Sequence, residues 1–227
     1  MDFPKAVLFD LDGVLINTEP LLAEAWKETT KEFQFKLSNN NLQELKGRRR
    51  IDCAKKIQKW MNKGIKIEEL LITQKLKIND QIWKAKPFKG AEDLINFCIN
   101  TKLPIALVTS SSSQSFKLKS NANPWLNLFK VKIFGDDKYI KSGKPEPYPY
   151  LRALEILGVS PNKTWVIEDS YAGSLAGLRA KCNLWFFSKD LETLNKLRNE
   201  FNLQKIERIN ELSEIIYYLK LWNGFKT

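Results

Sequence analysis

The sequence predicts an α/β protein: a Rossmann-like parallel sheet with a helical bundle inserted after its first strand. Three observations predict it. Short apolar runs of strand length alternate with segments of helical periodicity, the pattern of β-α units. Those runs are continuously apolar, as strands buried on both faces are. Finally, about 90 residues separate the first run from the second, where a single crossover helix would suffice.

The first strand is Ala6–Phe9, and it runs into Asp10-Leu11-Asp12-Gly13-Val14. Helical spacing then relates Leu22, Ala25, Trp26, Thr29 and Phe33, next Cys53, Ile57 and Trp60, and then Leu76 and Trp83, with no strand-like alternation between them. Residues 16–86 are therefore expected to form the inserted bundle, joined through Leu15–Thr18 and through Lys86-Pro87-Phe88-Lys89-Gly90, whose Pro and Gly suit a hinge. Residues 1–15 and 87–227 form the sheet domain. Within it, Ala91, Leu94, Ile95 and Cys98 share a helix face before a strand at Ile105–Val108. A third strand is expected at Val131–Phe134. Leu151, Leu154 and Leu157 mark a helix that Gly158 stops, and Ser160-Pro161 opens a short turn. Strands follow at Thr164–Ile167 and Leu184–Phe187, and Leu212, Ile215, Ile216 and Leu219 mark a last amphipathic helix. These stripes are expected to face the core. The aromatic end from Tyr217-Tyr218 to Phe225 is read as core packing, with an interface as the alternative.

Composition narrows the function. The 227 residues, 43% hydrophobic and 11% aromatic, supply a substantial core. No apolar run is long enough for a membrane helix, and the start resembles no signal peptide. Cys53, Cys98 and Cys182 are odd in number and widely spaced, which suits reduced thiols in a cytoplasmic protein. The net charge of +11 comes from lysines scattered along many helices, and only Lys46 to Arg50 forms a concentrated basic patch. A nucleic-acid partner is not expected. A positive field would instead draw in anionic small molecules such as phosphate esters. A monomer is expected, with a dimer as the alternative. The chain has no histidine, which excludes a Ser-His-Asp triad, a histidine base and His-ligated zinc.

Four strand ends carry polar residues of a particular kind. The first offers Asp10 and Asp12, two carboxylates that would be costly to bury unpaired and that a cation or a phosphate site explains. The second offers Thr109-Ser110-Ser111-Ser112-Ser113. The third leads through Gly135-Asp136-Asp137 to Gly143-Lys144-Pro145-Glu146-Pro147, and the fourth gives Glu168-Asp169-Ser170 and then Gly173. In a parallel sheet all four converge on one edge, where ligands bind. Singly each is weak, but the ordered set is specific.

That ordered set, DLDGV, VTSS, GKPEP and IEDSYAG, resembles the haloacid dehalogenase (HAD) superfamily, and within it the β-phosphoglucomutase and phosphoglycolate phosphatase-like branch. The resemblance runs from Lys5 to about Phe187 and implies a Mg²⁺-dependent phosphatase acting on a small phosphomonoester through an aspartyl-phosphate. By resemblance Asp10 is the nucleophile, and Mg²⁺ is held by the Asp10 carboxylate, the Asp12 backbone carbonyl and the Asp169 carboxylate, with Glu168 behind them or acting through water. Thr109 and Ser110 hold phosphate oxygens, and Lys144 bridges Asp10 and the phosphoryl group as a point charge. Asp12 protonates the leaving alkoxide and later deprotonates water. The superfamily's dehalogenases lack that aspartate. Arg50 is expected to hold a distal anion of the substrate, with Thr18 and Glu19 at the mouth of the site. Leu22 stands where the mutases carry a cap histidine and Ile78 near their cap lysine, so hydrolysis is favoured over phosphate transfer within a sugar. A catalytically silent phosphate-ester binder is the further alternative. Asn17, Tyr148 and Lys181 depart from the family's pattern, and Lys181, standing where glycine commonly ends a helix, is expected to strain that end.

Overall fold

The fold is built around six parallel strands, seen in a computed structural model that describes residues 2–62, 64–201 and 205–222. The strands are β1 (Ala6–Phe9), β2 (Ile105–Val108), β3 (Val131–Ile133), β4 (Thr164–Glu168), β5 (Asn183–Phe187) and β6 (Ile206–Ile209), in the spatial order β3-β2-β1-β4-β5-β6. The helices are α1 (Glu19–Glu32), α2 (Asn39–Leu45), α3 (Arg50–Met61), α4 (Ile67–Asn79), α5 (Ala91–Asn100), α6 (Ser113–Ala122), α7 (Tyr148–Leu157), α8 (Tyr171–Arg179), α9 (Leu191–Glu200) and α10 (Ser213–Trp222). Register pairs Phe9 with both Leu107 and Ile167, which aligns the strand ends that carry the polar residues.

Period-two alternation divides the core into two layers. Val7, Phe9, Leu107, Trp165 and Ile167 pack on one face with Leu94, Ile95 and Cys98 of α5 and Ile215 and Leu219 of α10. Leu8, Ala106, Val108 and Val166 face the other way, onto Tyr150, Ala153 and Leu154 of α7, Ala176 of α8 and Leu194 of α9. Each such large side chain contributes about 1.5–3 kcal/mol on full burial. Cys53, Cys98 and Cys182 are free thiols, and burial pushes each up to about 12.

Helices α1–α4 lie between β1 and α5 and have their own apolar cluster around Trp26, Leu45, Cys53, Ile57 and Leu70. The chain leaves and re-enters the sheet layer side by side. The Asn17 N–H donates to the Lys86 carbonyl at 2.9 Å, and the Phe88 N–H donates to the Leu15 carbonyl at 3.0 Å.

The structure departs from the sequence expectations at several points. Leu76 and Trp83 are exposed, because α4 buries Leu70, Gln74 and Ile78 and the short turn Ile82–Lys84 buries Ile82 instead. Leu151 is also exposed, since the buried face of α7 starts at Tyr150 and continues through Ala153 and Leu154. The third strand stops at Ile133, one residue early. β6 was not anticipated, because its middle residues, Glu207 and Arg208, break the apolar run at a sheet edge. Of the aromatic end assigned to core packing, Tyr217 is exposed and Tyr218 packs against the core, while Phe225 lies outside the described residues. Among those residues no helix is long and apolar enough to cross a membrane.

Candidate active site

Asp10 follows β1 directly, and its N–H extends the ladder to the Ile167 carbonyl at 3.1 Å, fixing where the carboxylate projects. The side chain is buried beside Lys144. The Lys144 ammonium lies 2.5 Å from Asp10 Oδ1, 2.6 Å from Glu168 Oε1 and 2.9 Å from the Val108 carbonyl, which uses all three of its hydrogens.

Glu168 ends β4 with no exposure. Its Oε1 also accepts from the Tyr150 hydroxyl at 2.9 Å, while Oε2 accepts from the N–H groups of Asp169 and Ser170 and from Ser170 Oγ, at 3.1 to 3.3 Å. Glu168 is thereby committed to holding Lys144 and the following loop. Ser170 in turn caps α8, its hydroxyl accepting from the Gly173 N–H at 3.0 Å. Gly173 must lack a side chain, since a β-carbon there would stand 1.7 Å from Glu168 Oε1.

Asp169 completes a group of carboxylates. Oxygens of Asp10, Glu168 and Asp169 all lie within 4.8 Å of one another. Oδ2 of Asp169 is 2.6 Å from the Lys46 ammonium, whereas Oδ1 is buried with no hydrogen-bond partner. Burial raises the Asp169 carboxyl to about 8 against the pull of Lys46, and burial likewise holds Asp10 well above the usual carboxylate range despite Lys144. An orphaned carboxylate oxygen in an all-oxygen cluster with uncompensated charge fits a hard divalent cation. Glu19, at the start of α1, is raised to about 7, chiefly by burial.

Asp12 is engaged apart from that cluster. Its Oδ1 accepts from Thr18 Oγ1 at 2.6 Å and from the Lys119 ammonium, and its Oδ2 accepts from Ser111 Oγ at 2.7 Å and Thr109 Oγ1 at 3.4 Å. Burial alone would raise its carboxyl, but Lys119 and the hydroxyls of Thr18 and Ser111 lower it.

Above these groups opens a cavity of about 660 Å³. Asp10, Asp12, Ser110 and Ser111 line its floor, and Glu19, Trp26, Lys46, Arg50 and Gln74 are among its other walls. Arg50 starts α3, and its Nη1 donates to Gln74 Oε1 at 3.5 Å. Arg49 forks onto Asp52 at 2.7 and 3.2 Å and lies against Gly135 and Gly143. Ser110 ties the sheet edge to the α1–α4 helices, donating from Oγ to the Gly47 carbonyl at 2.8 Å.

The structure thus brings the sequence-derived residues together, although two of the hydroxyl residues lie deeper than expected. Thr18, expected at the mouth, is fully buried with its hydroxyl spent on Asp12. Thr109 is also buried, beside Asp12, and its Oγ1 accepts from the Ser111 N–H at 3.0 Å. Sequence reasoning missed Lys119 and Tyr150. The signal for each was too weak to read: Lys119 falls on the same helix face as the apolar Phe116, and Tyr150 shares the face of Ala153 and Leu154, but only the packing of the helix on the sheet selects those faces.

Comparison with known proteins agrees with this architecture. The family model described as haloacid dehalogenase-like hydrolase matches residues 7–187. The chain is 28% identical over 172 residues to a phosphorylated carbohydrates phosphatase of Thermotoga maritima, covering 74% of this chain and 78% of that protein. It is 26% identical over 206 residues to hexitol phosphatase A of Escherichia coli, covering 90% and 93%. A crystal structure of β-phosphoglucomutase from Clostridium difficile superposes with a TM-score of 0.81 over 98% of this chain and 99% of that one, at 19% identity, a likeness of fold.

Proposed function

The chain belongs to the haloacid dehalogenase-like hydrolases, and we propose that it is a phosphatase that hydrolyses a small phosphomonoester of sugar-phosphate type through an aspartyl-phosphate on Asp10. The observation that carries this reading is the pairing of two separately held aspartates, Asp10 on Lys144 and Asp12 on Lys119, at the floor of one cavity. A binding protein needs a phosphate pocket but has no use for both.

The residues divide the chemistry as follows. Lys144 places its positive charge beside Asp10, where the phosphoryl group arrives. An oxygen of Asp10 attacks phosphorus while the bond to the ester oxygen breaks, and Asp12, having first taken up a proton from solvent, gives it to that departing oxygen. In the second half, Asp12 takes a proton from water as the water oxygen bonds to phosphorus. The bond to Asp10 then breaks and phosphate leaves. The carboxylates of Asp10 and Asp169 and the backbone carbonyl of Asp12 would hold Mg²⁺, with Glu168 behind them. The ion supplies positive charge to neutralise the carboxylates and the phosphoryl oxygens.

The helices α1–α4 act, in this reading, as a cap whose basic residues cover the substrate. Arg50 faces the cavity and suits a second anionic or hydroxyl-bearing end of the substrate. Leu22 and Ile78 line the same cavity, offering no group to hold or protonate a second phosphate, which favours hydrolysis over a mutase reaction. The test is phosphate release from a panel of sugar phosphates, polyol phosphates, phosphoglycolate and nucleotides, with Mg²⁺ and with chelator. Chelator-sensitive release that Asp10→Asn abolishes, with the fold retained, supports the reading. Normal turnover by Asp10→Asn sinks the mechanism, and tight ester binding without turnover by the native protein sinks the enzyme.

A further inference from the structure

A lysine with no exposed surface, in a chain with 37 basic residues to place, has a specific reason to be inside. Lys119 lies in α6, on the buried face with Phe116 and Ser120. Its ammonium has two partners, Oδ1 of Asp12 and Oγ of Ser111, the latter at 2.7 Å. Ser111 Oγ in turn donates to Oδ2 of Asp12 at 2.7 Å, so three side chains close a ring that grips both carboxylate oxygens. Thr18 adds a further donor to Oδ1. The other buried lysine at the site, Lys144, serves Asp10 and Glu168. Each aspartate therefore has its own buried cation, and the two cations cannot substitute for one another.

We infer that Lys119 is a positioning residue for proton transfer by Asp12, an inference that rests on the phosphatase reading above. Lys119 touches neither phosphorus nor the departing oxygen. It fixes the carboxyl from the α6 side and places positive charge where Asp12 becomes an anion on giving its proton to the ester oxygen. Lys119 stays an ammonium throughout. The proton passes from Asp12 to the ester oxygen as the P–O bond breaks, and from water back to Asp12 in the second half.

A purely structural ion pair would make a different mark on the kinetics. A leaving alkoxide needs the proton, whereas p-nitrophenolate is stable without it. The experiment compares kcat/KM, which reports the steps through formation of the aspartyl-phosphate, for p-nitrophenyl phosphate and for the best alkyl phosphate of the panel. With Lys119→Met, the alkyl ester is expected to lose about 100-fold, within the range of a general acid's contribution, and the aryl ester less than about 10-fold. If Lys119→Met does not fold, Ser111→Ala, which opens the same ring, decides by the same ratio with a smaller loss in the same direction. Equal losses for the two esters, or no loss for either, overturn the inference. A native protein that turns over neither ester overturns the phosphatase reading itself, and this inference with it.

Discussion

A β-carbon on Gly13 would stand 2.0 Å from Oδ2 of Asp169, although the two residues belong to different strand ends. Gly13 also has a φ of +92°, in the region where a side chain is strained. The glycine after the two aspartates is therefore required twice, by its backbone and by the carboxylate packed on it. Gly13→Ala is expected to destabilise the protein by about 1–3 kcal/mol. Displacing Asp169 is expected to cut kcat about 100-fold, the scale of an ångström of misplacement. Urea unfolding measures the first and steady-state kinetics the second. Unchanged kcat in a folded variant would mean that Asp169 does not matter where it stands.

Lys144 sits between Asp10 and Glu168 with almost no exposure. Removing its charge leaves two buried carboxylates facing one another without compensation, a loss of about 3–5 kcal/mol. Lys144→Met is therefore expected to unfold at markedly lower urea concentration and to show no turnover. Asp10→Asn keeps the shape and removes one of the two anions, so it is expected to unfold close to the native protein. A Lys144→Met protein as stable as the native one would show that the pair contributes nothing net.

How much of this was legible in the sequence follows the range of the interactions. β1 and β2 are continuous apolar runs, and β4 and β5 hold the runs Trp165–Ile167 and Leu184–Phe187, so their burial can be read from consecutive residues. β6 is an edge strand with two charged residues at its centre, and only its neighbour β5 defines it. The strand-end motifs placed Asp10, Lys144, Glu168 and Asp169 together, because parallel topology alone brings them to one edge. The role of Lys119 was not legible. Its partner Asp12 lies 107 residues away, and a single lysine on a helix looks like a solvated one until the turn of α6 is known. Tyr150 was hidden for a related reason. Of the stripe Leu151, Leu154, Leu157, the last two pack inward but Leu151 faces out, and the sheet selects Tyr150 in its place.

The carboxylate cluster makes stability depend on pH and on metal. Burial raises Asp169 to about 8 and holds Asp10 well above its ordinary value. Without a cation, the folded protein therefore keeps protons that the unfolded chain has already released above about pH 4, and its stability falls as pH rises from about 4 to about 8. Asp12 works in the opposite sense, its carboxyl being lowered, but its effect lies in the acid range. A bound divalent cation requires the ionised forms, so binding releases protons and strengthens as pH rises. Melting temperatures of chelator-treated protein are expected to fall across this window, and excess Mg²⁺ is expected to raise them most at its upper end. A Mg²⁺ effect equal at both ends would mean that the ion does not bind these carboxylates.

The end of α8 carries a local cost that the fold tolerates. Lys181 is exposed and has a φ of +66°, the conformation glycine adopts without penalty after a helix. Its N–H still donates to the Leu178 carbonyl at 2.9 Å, and the next N–H, that of Cys182, donates to the Gly177 carbonyl at 3.1 Å, so the helix end is closed by hydrogen bonds in spite of the side chain. The left-handed conformation costs a residue with a β-carbon about 1 kcal/mol. Glycine removes that cost but adds freedom to the unfolded chain, which offsets part of the gain. Lys181→Gly is therefore expected to stabilise the protein by up to about 1 kcal/mol, a rise in melting temperature of about 2–4 °C at most for a chain of this length. Since α8 starts at the loop that carries Asp169, the same variant tests whether strain at the far end of the helix reaches the site. Unchanged kcat with a higher melting temperature is the expected result. A lower melting temperature would show that the Lys181 side chain makes a compensating contact that outweighs its backbone.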